Sequence, residues 1–93
     1  MRKLSRKRIK EAAKIFRSYG ATEVYVFGSY ATGQAKGSSD VDFAVVGLPT
    51  RSFFFAMGKV MHELGRLVDL VDLDEETQFT SLLKKHNELV RVA

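Results

Sequence analysis

The residues of this chain best suited to chemistry are a glycine–serine pair and a short series of aspartates. Gly28-Ser29 is followed, after ten residues, by Asp40-Val41-Asp42, and Asp69 comes later inside an apolar run. Asp40 and Asp42 alternate along one stretch, so on a strand both carboxylates leave the same face. Two like charges on one face repel unless a cation lies between them. An oxygen-only, carboxylate-rich site beside a glycine turn suits Mg²⁺ and a polyphosphate. Phosphoryl or nucleotidyl transfer makes matching demands: backbone amides and a hydroxyl to seat the phosphates, and carboxylates enough for two divalent ions. Gly28 would let phosphates approach the backbone, Ser29 would offer its hydroxyl, and Asp40, Asp42 and Asp69 would supply the carboxylates.

The elements that must position these groups follow from periodicity. Val24-Tyr25-Val26-Phe27 is short and wholly apolar, which predicts a first strand buried on both faces. Residues 28–39 hold three glycines together with Ser29, Thr32, Ser38 and Ser39, a loop with room for one helical turn starting at Ser29. In that turn Ser29 could equally be an N-cap. The second strand runs from Val41 to Val46 and stops at Gly47 and Pro49. Residues 67–73 read as a third strand, interrupted by Asp69 and Asp72 on opposite faces.

Helices account for the rest. Ile9, Ala12, Ala13, Phe16 and Tyr19 recur at spacings of three and four and predict a helix over 4–19, closed by Gly20. Thr50 or Ser52 would cap a helix over 52–64, with Phe53, Met57, Val60, Met61 and Leu64 as its apolar stripe and Gly65 at its end. Phe54 and Phe55 widen that stripe. Asp74 is the expected N-cap of a last helix, with Phe79, Leu82, Leu83 and Val90 on its apolar face. The expectation is an α+β fold: a small three-stranded sheet packed with about four helices, one domain over residues 1–93.

Composition excludes several classes. There is no cysteine among the 93 residues, hence no disulfide and no thiolate metal site. No apolar run approaches the roughly 18–20 residues of a membrane span, and no signal-peptide segment follows the basic N-terminus. A soluble, cytoplasmic protein is expected. The net charge of +4 is uneven, with eight Lys or Arg and only Glu11 against them in the first twenty residues. Such an arm can bind a polyanion or form a solvated helix face. No basic platform interleaved with aromatics accompanies it, so nucleic acid is a possible partner but not the favoured one. His62 and His86 fall on helices without matching ligands and read as surface residues. Lys36, in the loop, reads as solvated.

The series Gly28-Ser29, ten residues, Asp40-Val41-Asp42, then Asp69 in Val68-Asp69-Leu70-Val71 resembles the minimal nucleotidyltransferases (MNT) of the DNA polymerase β superfamily. Phe27, Gly33 and Ser39 fit the same pattern, and the resemblance covers about residues 22–75. It implies a nucleotidyltransferase fold with a mixed sheet, in which Gly28 and Ser29 bind the β- and γ-phosphates of ATP. Asp40 and Asp42 would hold two Mg²⁺ ions. Asp69 would complete the nucleophile-side ion and assist deprotonation of the acceptor, with Asp72 the rival for that position. Many relatives read G-S-x-A-R-G, whereas Thr32 stands here in the arginine's place. That removes a group able to brace phosphate.

Chain length adds to the resemblance. Larger superfamily members carry a further domain, and this chain resembles the stand-alone MNT proteins. Those commonly pair, as antitoxins, with a HEPN-domain toxin in a hetero-complex, and some transfer AMP to a tyrosine of the toxin. Phe53, Phe54 and Phe55 are either a contact surface for such a partner or simply core. The alternatives to protein adenylylation are a non-catalytic antitoxin acting by complex formation and nucleotidyl transfer to an RNA end.

Overall fold

A computed structural model describes residues 2–86 and 88–93. Helix α1 spans Arg6–Ser18, two residues shorter at its start than the periodicity predicts, because Ser5 takes the cap. The Ser5 hydroxyl accepts the Arg8 N–H at 3.1 Å and satisfies a donor that the first turn leaves free. Ile9, Ala12, Ala13 and Phe16 form the buried stripe, and Tyr19 lies outside it at the C-cap.

Strand β1 (Glu23–Phe27) alternates half-buried with buried residues, so only Val24 and Val26 enter the core. The expectation of burial on both faces is corrected here. Tyr25 and Phe27 face the opposite side of the sheet, where Phe27 meets Phe79 edge-to-face with centroids 5.9 Å apart. A one-turn helix α2 (Ser29–Thr32) follows. Strand β2 (Val41–Val46) is the most deeply buried element, with Val41, Phe43, Ala44 and Val45 all inaccessible. Phe43 and Phe16 meet edge-to-face at 5.2 Å and join the sheet to α1.

Helix α3 (Thr50–Leu64) starts earlier than expected, with Pro49 at the cap position and its carbonyl accepting the Ser52 N–H. Ala56, Val60 and Leu64 are its buried face. Strand β3 (Val68–Asp72) pairs parallel to β2, an arrangement that needs the α3 crossover. Helix α4 (Gln78–Lys85) begins four residues after the expected Asp74 cap. Thr77 caps it instead, in a reciprocal pair with Thr80. Asp74 is not free for that role: its carboxylate accepts the Gly47 N–H at 2.6 Å, across 27 residues of sequence.

The sheet has four strands, in the order β3-β2-β1-β4, rather than three. The added strand β4, Val90–Arg91, pairs antiparallel with β1, so Val90 belongs to the sheet and not to the last helix. The nucleus of the core is one cluster built by α1, α3 and the inner faces of β1 and β2. Among the described residues no helix is long and apolar enough to cross a membrane.

Candidate active site

The site forms where β1 ends and β2 and β3 begin. Pairing places Phe27 opposite Asp42 on one side and Asp69 opposite Asp42 on the other. Directly paired residues share a sheet face, so Asp42 and Asp69 project together on the face away from α1 and α3. Asp40 lies one step before β2 and is exposed, as is Asp69, while Asp42 between them is half-buried.

The Asp42 carboxyl is pushed up to about 6, first by desolvation, then by hydrogen bonding to Asp69 and by the charges of Asp69 and Asp40. Burial and like charge both penalise ionisation. The three carboxylates therefore sense one another. A cation relieves that repulsion in the same way as a shared proton. Among the described residues no group of three such side chains lies arranged to hold a metal ion. The donor chemistry of Asp40, Asp42 and Asp69, carboxylate oxygen only, fits Mg²⁺.

Gly28 has φ +67° and ψ −144° and occupies the N-cap position of α2. A Cβ there would collide with Asp42 Oδ2, so the absence of a side chain at 28 is what gives the Asp42 carboxylate its place. The Gly28 carbonyl accepts the N–H groups of Ala31 and Thr32 at 3.0 and 3.1 Å, closing the turn. Ser29 is then the first residue of α2 and half-buried, not its N-cap. Thr32 is exposed and directs its hydroxyl back to the Gly28 and Ser29 carbonyls at 3.4 and 3.5 Å. It brings no positive charge to the turn.

Two further positions shape the approach to Asp40. Ser39 and Lys36 exchange hydrogen bonds, Lys36 N–H to Ser39 Oγ at 2.8 Å and Ser39 N–H to Lys36 O at 3.0 Å, which folds the loop just before the first aspartate. Arg66, which the sequence reading passed over, fixes that loop from the other side. Its guanidinium donates to the Gly37 carbonyl, the Tyr30 hydroxyl and the Arg2 carbonyl at 3.1, 3.2 and 2.7 Å. The buried Nε has no partner among the described residues. Only the position of Arg66 beside Gly65, at the entry to β3, hinted at a role.

Asp72 lies apart from this group. It pairs with Val45, and its Oδ1 accepts the Asp74 N–H at 2.9 Å, so it shapes the turn after β3. Lys36, His62 and His86 are all exposed. Of the three phenylalanines on α3, Phe53 packs against the core, while Phe54 and Phe55 are 74% and 76% exposed.

Comparison with known proteins bears on the family and the fold. Residues 10–91 match the profile of the polymerase β nucleotidyltransferase family. No curated protein matches the chain. A chain from a toxin–antitoxin complex with AMP-PNP superposes with a TM-score of 0.74 at 25% identity, covering 97% of this chain and 73% of that one. A minimal nucleotidyltransferase superposes with a TM-score of 0.73, also at 25% identity, over 91% and 89% of the two chains. A complex of tri-AMPylated Shewanella oneidensis HEPN toxin with MNT antitoxin gives 0.69 at 23% identity, over 96% and 72%.

Proposed function

The chain belongs to the polymerase β nucleotidyltransferase family, and from that premise we propose that it transfers AMP from ATP to a hydroxyl, a tyrosine's, on a partner toxin of the HEPN class. It acts thereby as the antitoxin. The observation that carries this reading is the pairing of Asp42 with Asp69 across β2 and β3, with Asp42 Oδ2 packed against the bare Cα of Gly28. The structures superposing on the chain include complexes of HEPN toxins with MNT antitoxins, one with its toxin AMPylated.

The residues divide the work. Gly28 and Ser29 receive the β- and γ-phosphates of ATP at the turn into α2. Asp40, Asp42 and Asp69 would hold Mg²⁺ through their carboxylate oxygens. When bound, Mg²⁺ supplies charge neutralisation of the triphosphate and lowers the cost of deprotonating the acceptor. The acceptor oxygen attacks the α-phosphorus, a new P–O bond forms, the α–β bridging bond breaks, and pyrophosphate leaves. Asp69 is placed to receive the acceptor's proton. Arg66 contributes by holding the loop that leads into Asp40.

The test is the intact mass of a purified HEPN partner after incubation with this protein, ATP and Mg²⁺. A gain equal to AMP less water, absent with an Asp40→Asn, Asp42→Asn variant, is the expected result. A stable complex with no gain refutes transfer. It supports the second reading, an antitoxin acting by binding alone, which the lack of a cation at Thr32 favours.

A further inference from the structure

We propose that the free edge of β3 docks an extended, basic segment of the partner protein and leads it to the carboxylates. Strand β3 ends the sheet. The Leu73 N–H bonds to Val45 O, and Leu67 O accepts from the Val41 N–H, so the odd-numbered residues of β3 turn their backbone groups toward β2. Those of Val68 and Leu70 therefore point away from the sheet, ready to pair with an added strand, whereas the Asp72 carbonyl accepts the Glu75 N–H and closes the turn.

Beside this edge lies a groove of about 630 Å³ between the start of α3 and the start of α4. Phe53, Phe54, Leu70 and Phe79 give it apolar walls, and Phe54 and Phe79 are 74% and 49% exposed. Asp72, Asp74 and Glu75 are its ionisable groups, and no Lys, Arg or His among the described residues lines it. None of the three is ion-paired among the described residues, where Arg91–Glu23 is the salt bridge formed. Acidic groups against apolar walls are unusual on a chain of net charge +4.

The chemistry selects the occupant. An extended chain pairs its backbone with Leu70, sets apolar side chains against the phenylalanines and offers Lys or Arg to the three carboxylates. A second copy of this chain joined edge to edge would bring acidic residue against acidic residue, and like charges facing across strands repel. Leu70 directly follows Asp69, so a segment paired there lies within one or two residues of the carboxylate pair, about 3.3 Å for each residue. That this segment carries the acceptor hydroxyl rests on the transfer reading above. The docking itself does not.

The experiment separates the two. A short fluorescein-labelled peptide alternating lysine with valine and tyrosine is titrated with the full chain, and its anisotropy is compared with that of a glutamate-for-lysine counterpart. The lysine peptide is expected to bind, and to bind more weakly as salt is raised. Phe54→Ala and Glu75→Lys should each weaken it about tenfold, whereas Glu11→Gln, at an exposed carboxylate on α1 that does not line the groove, should leave it unchanged. Both substituted side chains are exposed, so the fold survives their replacement. Equal binding of the glutamate peptide, or binding indifferent to both variants, overturns the proposal. Docking that persists while the mass assay shows no AMP transfer retains the groove and removes the enzyme.

Discussion

Replacing Gly28 by alanine should damage the site more than any other single methyl group added to this chain. Two costs combine. With φ +67° and ψ −144°, residue 28 occupies a backbone region that side chains rarely adopt, worth about 1–3 kcal/mol. The new Cβ would also overlap Asp42 Oδ2, forcing the carboxylate off its rotamer for a further ~1 kcal/mol. Gly33 supplies the control, since its φ is +80° and nothing lies within 4 Å of a Cβ there. Gly33→Ala should therefore cost only the left-handed backbone penalty, about 1–2 kcal/mol. Urea denaturation of both variants measures the difference, and titration with Mn²⁺ in the presence of ATP reports on the site. Gly28→Ala should lose about 2–4 kcal/mol of stability and its metal–nucleotide affinity together, whereas Gly33→Ala should keep the affinity. If the two variants are equally stable and bind equally, the placement of Asp42 against residue 28 is not what organises the site.

Other consequences follow from the same contacts. Because Asp42 holds its proton up to about pH 6 in the fold, against a usual value of 3.8, folding binds a proton across that interval. The group's contribution to stability is therefore full below the unfolded value and is lost as pH rises through about 6. Urea midpoints taken across this range without metal should fall with pH, and Asp42→Asn should remove that part of the slope. Divalent-cation affinity should move the opposite way, rising as the carboxyl ionises. Asp42→Asn should leave a folded protein without transfer activity, checked by circular dichroism beside the mass assay. Asp69→Asn should lose more activity than Asp72→Asn, and the reverse order would make Asp72 the third carboxylate. Arg66→Ala, which removes hydrogen bonds worth about 0.5–1.5 kcal/mol each, should speed amide exchange at residues 36–39 and lower the melting temperature.

The parts of the fold that local pattern writes were legible beforehand. The apolar run from Val41 to Val46 marked strand β2, and the three-and-four spacing of Ile9, Ala12, Ala13 and Phe16 marked the buried side of α1. Features made by distant pairing were not legible. Strand β4 is two residues long and shows no period, so Val90 was assigned to a helix that stops at Lys85. Asp74 looked like a cap until the Gly47 N–H, 27 residues away, claimed its carboxylate. The aromatic side chains of Tyr25 and Phe27 hid the alternation of β1, because hydropathy alone does not say that one face is covered only in part. Arg66 gathers acceptors from three separate segments, and no short motif encodes that convergence.

The central claim is that the carboxylates of β2 and β3 hold a divalent ion against a nucleotide seated at Gly28 and Ser29. It is tested most directly by paramagnetic broadening of amide resonances, with Mn²⁺ and ATP added to the isotope-labelled chain. Broadening should centre on residues 28–30, 40–42 and 68–70, weaken with distance along β3 toward Asp72, and vanish in Asp42→Asn. Broadening centred on the basic residues of α1, or unchanged in Asp42→Asn, would contradict it.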